Sequence, residues 1–145
     1  MQFNDSRSSI SMLDIILIQD VKTGLNLVEY RQEHTKVKTE HSDIFSGFLS
    51  AIQKISEELD IGTVILISTQ GSKGHNCIII PTPPINVIIL VDQDDPIDLW
   101  REQGHLISQK FIEQFGSHYE PADVVQFRLF NSVIKQLCSM HEYCE

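Results

Sequence analysis

The sequence predicts an α/β fold of three layers, a central sheet with helices on both faces, and three observations lead there. Four of the five predicted strands are unbroken aliphatic runs, which a sheet with one wet face does not carry. The stretch 42–59, SDIFSGFLSAIQKISEEL, has helical periodicity and lies between strands, so one cover is supplied within the strand region itself. After residue 94 the chain turns helical to its end and supplies the second cover.

Residues 1–11, MQFNDSRSSIS, are polar and Ser-rich without periodicity, and are expected to form a flexible arm ahead of a single domain over 12–145. Leu13–Gln19 reads as a strand buried on both faces. Leu25–Arg31, with polar residues interleaved, reads as an edge strand, and DVKTG between them makes the pair a hairpin. Ser42 is the expected N-cap of the first helix. Its apolar residues Ile44, Phe45, Phe48, Leu49, Ile52, Ile55 and Leu59 recur at steps of three and four, and Gly62 stops it. Thr63–Ser68 and His75–Ile80 flank the turn QGSKG as a second hairpin. Pro81, Pro83 and Pro84 read as a stiff connector, and Asn86–Val91 as the fifth strand. Asp95 as cap, Pro96 in the first turn and Asp98 then start a helix with Ile97, Trp100, Gly104, Ile107, Phe111 and Phe115 on one face. Gly116-Ser117 and Glu120-Pro121 interrupt it, and Phe127, Phe130, Ile134, Leu137, Cys138 and His141 form a last stripe. The expected order is β-β-α-β-β-β-α-α.

A net charge of −9 argues against nucleic acid and against anionic membrane surfaces as partners, since both require concentrated Lys and Arg. No apolar run approaches the roughly 20 residues of a membrane span, so direct membrane insertion is not expected. Cys77, Cys138 and Cys144 are odd in number and lack a CxxC spacing, which suggests reduced thiols in a cytoplasmic protein.

No catalytic constellation stands out. The strand end VIILVDQD carries Asp92 and Asp94 in the Asp-x-Asp arrangement of haloacid-dehalogenase phosphatases, which makes a small Asp-dependent phosphohydrolase an alternative function. The downstream lysine and further acidic pair of that chemistry have no evident place here. An EF-hand reading fails because Ile97 and Gln103 stand where glycine and glutamate belong. Cys138, His141 and Cys144 are zinc-type ligands, yet on one helix the two cysteines are about 9 Å apart along the axis, whereas thiolates sharing a zinc lie within roughly 4 Å. Gly71-Ser72-Lys73-Gly74 opens no helix, so it reads as a hairpin turn rather than a phosphate loop. His41 beside Ser42 has no orienting acid and is not read as catalytic. No metal or other cofactor is expected. Two features suit binding better. Gly47 and Ala51 flank the first helix's apolar stripe and permit close approach by the protein's own sheet or by a partner. The edge strand Leu25–Arg31, with Leu25, Leu27 and Glu29, offers backbone groups that could extend the sheet into a second subunit.

The element order, the helix phrase SGFLSAI at 46–52 and the aliphatic strand entering Asp92-x-Asp-x-Pro96 resemble the longin domain of vesicle-trafficking proteins, and its relative the roadblock family. A start on strands resembles longin more than roadblock, and stand-alone chains of this kind occur among archaeal proteins. The resemblance implies a five-stranded antiparallel sheet with one helix on one face and two on the other. It also implies a non-enzymatic, dimeric scaffold whose partner is a small GTPase or a longin/roadblock-type subunit. The heptad helix of longin-bearing SNAREs is not part of this sequence, so membrane fusion is not expected. A small-ligand sensor is a further alternative, which an apolar pocket with converging polar groups would favour.

Overall fold

The computed structural model describes residues 13–139 except 34 and 37. Its elements are β1 (Leu13–Asp20), β2 (Asn26–Arg31), α1 (Thr39–Glu58), β3 (Leu66–Ser68), β4 (His75–Thr82), β5 (Ile85–Asp92), α2 (Ile97–Phe115), a 3-10 turn (Val124–Phe127) and α3 (Phe130–Ser139). The strands form one antiparallel sheet in the order β2-β1-β5-β4-β3. The expected order of elements and the three layers are those observed.

The central strands β1, β5 and β4 are aliphatic at successive positions because alternate side chains serve two cores. Ile16, Ile18, Ile78, Ile80, Val87 and Ile89 face α2 and α3, against Trp100, Ile107, Phe111, Phe127, Phe130 and Ile134. Ile15, Leu17, Cys77, Ile79 and Ile88 face α1, against Leu49 and Phe45. α2 lies close to the sheet at Gly104, where a Cβ would stand 2.4 Å from Ile80 Cδ1. Phe111 anchors an aromatic cluster beyond it, with Phe115, Tyr119, Phe127 and Phe130 at centroid distances of 4.7, 5.8, 5.5 and 5.4 Å.

Several sequence expectations are corrected. α1 begins at Thr39 behind Lys38, not behind Ser42; Ser42 is buried within the helix and its hydroxyl donates back to the Lys38 carbonyl. β3 is three residues long instead of six, because the Gln53 amide captures both the N–H and the C=O of Val64 at 2.9 and 2.8 Å. It is also a largely exposed edge rather than a strand buried on both faces. The proline segment is no separate connector. β4 runs on to Thr82, Pro81 pairs with Asn86, and Pro83-Pro84 turns the chain directly into β5. Asp95 does not cap α2, whose N-cap is Pro96; it is buried and accepts the Trp100 indole N–H at 3.0 Å. Of the cysteines, Cys77 is a free buried thiol, but Cys138 is disulfide-bonded, against the expectation of reduced thiols throughout. Residues 1–11, expected to form an arm, and His141 and Cys144 lie outside the described residues.

Candidate functional site

The most consequential departure from expectation concerns which side of α1 meets the sheet. Ser42, Ser46, Leu49 and Ser56 are buried, whereas Ile44, Phe48, Ile55 and Leu59 are 72%, 52%, 57% and 63% exposed. At about 100° per residue the buried set centres well over a quarter-turn away from the exposed set. Gly47 and Ala51 lie to one side of the exposed arc, and both are solvent-facing. A Cβ at Gly47 would meet nothing within 4 Å, so this glycine does not serve packing against the protein's own sheet.

Hydrogen bonds account for the choice of face. The Ser46 hydroxyl donates to the Asn26 side chain at 2.5 Å. Gln19, on the α1 side of β1, donates to the Ser46 carbonyl and the Ser50 hydroxyl at 3.2 Å each. Gln53 clamps Val64, and the Ser56 hydroxyl bonds the Gly62 carbonyl. Buried groups of this kind would be costly unpaired. Seating the serines inward satisfies them and leaves α1's most apolar arc facing out. Beyond α1, the exposed residues Leu59, Ile61, Ile65 and Leu66 carry the apolar character along the chain into the open edge β3.

The other expected binding residues are dispersed. Leu25 is exposed and precedes β2. Leu27 is buried, because the β1–β2 register slips by one residue between Ile18/Val28 and Gln19/Asn26 and leaves Leu27 as the bulged residue, so it joins Val28 in the α2/α3 core. Glu29 pairs with Arg31. β2 is an edge as expected, but its apolar side chains belong to the interior, and β3 presents the barer apolar edge.

The acids after β5 serve the turn. Asp92 Oδ2 accepts the Asp94 N–H at 3.0 Å, and among the described residues no group of three or more His, Cys, Asp or Glu could hold a metal. Burial raises the Asp95 carboxyl to about 6 against the Trp100 hydrogen bond, with Asp92, Asp14 and Asp94 adding repulsion. At the opposite end of the sheet, burial acts to raise Asp20. Hydrogen bonds from Thr23 and Tyr119 and the charge of Lys22 outweigh it, so the Asp20 carboxyl is lowered overall. Burial, followed by the Asp20 hydrogen bond and charge, raises Tyr119 in turn. Their 2.7 Å hydrogen bond ties the β1–β2 turn to the segment after α2.

A second feature lies beneath α1. The bulge at Asp14 in the β1–β5 pairing places its carboxylate 2.6 Å from His75 Nε2 of β4. Lys36, His41, Lys73 and Asp92 gather around the same recess, of about 570 Å³. No sequence signal joins these residues, since they come from five separate segments. Among the described residues no helix is long and apolar enough to cross a membrane.

No protein-family model and no curated protein matches the chain. Solved structures do. The chain is similar to the Roadblock/LC7 domain from Streptomyces avermitilis with a TM-score of 0.54 at 8% identity, over 79% of this chain and 97% of that one. It is similar to Myxococcus xanthus MglB with a TM-score of 0.52 at 10% identity, over 79% of this chain and 100% of that one. At such identities the likeness is one of fold, and the longin/roadblock-like fold expected from the sequence is the fold of this chain.

Proposed function

We propose that this longin/roadblock-like chain is a non-enzymatic interaction module that pairs with a second copy through α1 and the β3 edge, and docks a small GTPase or a related subunit as a dimer. The observation that carries the reading is the outward apolar arc of Ile44, Phe48, Ile55 and Leu59, with Ala51 and Gly47 flanking it. Contiguous exposed apolar surface of this kind marks an interaction site in a protein that is otherwise strongly acidic. Small residues at 47 and 51 let a second helix approach closely, and the unpaired groups of β3 can continue the sheet across a two-fold axis. Leu25 and Glu29, at the far edge, are assigned to a different partner from the one at β3. The GTPase rests on the resemblance to longin and roadblock domains. A cytoplasmic location is part of this reading.

Two measurements test it. Sedimentation velocity over a concentration series should show reversible dimers. Pull-downs with the purified chain, in parallel with GDP and with a non-hydrolysable GTP analogue, should recover a small GTPase from one nucleotide state preferentially. A monomer at every concentration removes the pairing surface; nucleotide-independent recovery removes the GTPase. Phosphohydrolase action by Asp92 and Asp94 is the competing reading, and magnesium-dependent phosphate-ester turnover lost in Asp92→Asn would establish it instead.

A further inference from the structure

The α1 side of the sheet does not close. α1 is held by Ser46 at Asn26 and Gln19 and, toward its C-terminus, by Gln53 and Ser56, and it stands farther from the strands than α2 does. Toward its N-terminus the layers leave a cavity of about 330 Å³ between Ile15, Leu17 and Leu90 on the sheet and Ile44, Phe45 and Phe48 on the helix. That volume is within the range of small-molecule sites, and its walls are almost wholly carbon. His41 and Leu90 also line the neighbouring polar recess, so the apolar chamber adjoins a charged mouth.

The mouth has a definable chemistry. Asp14 and His75 are paired with each other, and one Asp92 oxygen is engaged by the Asp94 N–H. Lys36 and Lys73 form no ion pair among the described residues. His41 Nδ1 accepts the Lys38 N–H at 3.1 Å, so in the neutral ring the proton sits on Nε2, which is a donor. Two ammonium groups and an imidazole N–H at the end of a hydrocarbon-lined chamber suit a molecule with an aliphatic body and an anionic head.

We propose that this cavity binds a free medium-chain aliphatic carboxylic acid, the chain lying among Ile15, Leu17, Phe45 and Leu90 and the carboxylate meeting His41, Lys36 and Lys73. A free acid is favoured over a bilayer lipid because the chamber lies between the sheet and α1, and a net charge of −9 opposes a surface of many anionic headgroups far more than it opposes one carboxylate met by two lysines. The site goes beyond the interaction-module reading: it shares Ile44 and Phe48 with the outward arc, but its floor of Ile15, Leu17 and Leu90 belongs to the sheet, and Ile55 and Leu59 take no part in it.

The test is a titration of the full chain with decanoate and with 1-decanol, followed by methyl-resolved NMR. Saturable shifts at Ile15, Leu17 and Leu90 are expected, with Ile78, Ile80 and Ile89 on the other face unmoved. Charge-assisted hydrogen bonds should make decanoate about tenfold tighter than decanol, a preference abolished in the double variant Lys36→Gln, Lys73→Gln. Leu90→Phe, which fills the chamber, should weaken binding by at least about tenfold; if that variant does not fold, the wild-type shift map decides. Shifts confined to exposed Ile55 and Leu59, or no saturation, would sink the cavity. Equal binding of acid and alcohol would sink the anionic head. Co-sedimentation with phosphatidylglycerol vesicles in place of decanoate binding would sink the free acid.

Discussion

Replacing Ile55 by Gln is the sharpest test of the outward arc, because Ile55 lines neither the cavity nor either core and its side chain is 57% exposed. Fully burying an isoleucine contributes about 1.5–3 kcal/mol, so covering its exposed part contributes roughly 1–1.7 kcal/mol per copy. A two-fold interface uses the residue twice, giving roughly 2–3 kcal/mol and a dimer dissociation constant raised roughly 30- to 150-fold. Glutamine is a good helix former and brings no charge, so the monomer should keep its stability within about 0.5 kcal/mol. Sedimentation equilibrium of the two proteins reads the dissociation constant, and urea melts read the fold. An unchanged constant with an unchanged fold would refute the pairing face. So would a wild-type chain that never dimerises.

Gly47→Leu should alter oligomeric state or partner binding while leaving the melt cooperative, since nothing lies within 4 Å of its Cβ position; unfolding would show that the glycine serves the monomer after all. Gly104→Ala should do the reverse, costing about 1–3 kcal/mol in thermal or urea melts, because its Cβ would stand 2.4 Å from Ile80 Cδ1; a neutral effect would mean that α2 shifts freely. Asp95 takes up a proton on folding, since its pKa rises from 3.8 to about 6, so its ionisation costs stability that is fully present below the unfolded value and lost as pH rises through about 6. Asp95→Asn keeps an acceptor for Trp100 and should therefore exceed the wild type by roughly 1–3 kcal/mol at pH 8, the gap closing toward pH 4. A gap independent of pH would show that the carboxyl is not the titrating group.

The layers of this fold were legible because they rest on periodicity. Aliphatic runs in β1, β4 and β5 report two buried faces, and Ile97, Trp100, Gly104, Ile107 and Phe111 report one face of α2, whatever the details of the neighbours. What escaped sequence reading depends on pairs of polar atoms distant along the chain. Gln53 shortens β3 by holding Val64, Trp100 draws Asp95 away from the helix cap, and a one-residue bulge sends Leu27 inward. The residues of the charged recess share no spacing at all, and only the sheet register at Asp14 and His75 brings them together.

The rotation of α1 is the most instructive of these misses. Its apolar residues, from Ile44 round to Leu49, span well over a third of the helix circumference, so hydrophobicity alone permits more than one seating on the sheet. Burying the Ile44 and Ile55 arc would shelter more hydrocarbon, but it would move Ser46, Gln53 and Ser56 away from Asn26, Val64 and Gly62. It would also strip buried Gln19 of its bond to the Ser46 carbonyl, and a polar group left buried and unpaired costs about 1–3 kcal/mol, comparable to burying a whole isoleucine. The hydrogen-bonded seating therefore wins in the monomer. It leaves a hydrocarbon arc in water, and an interface that covers this arc recovers the stabilisation the isolated domain forgoes.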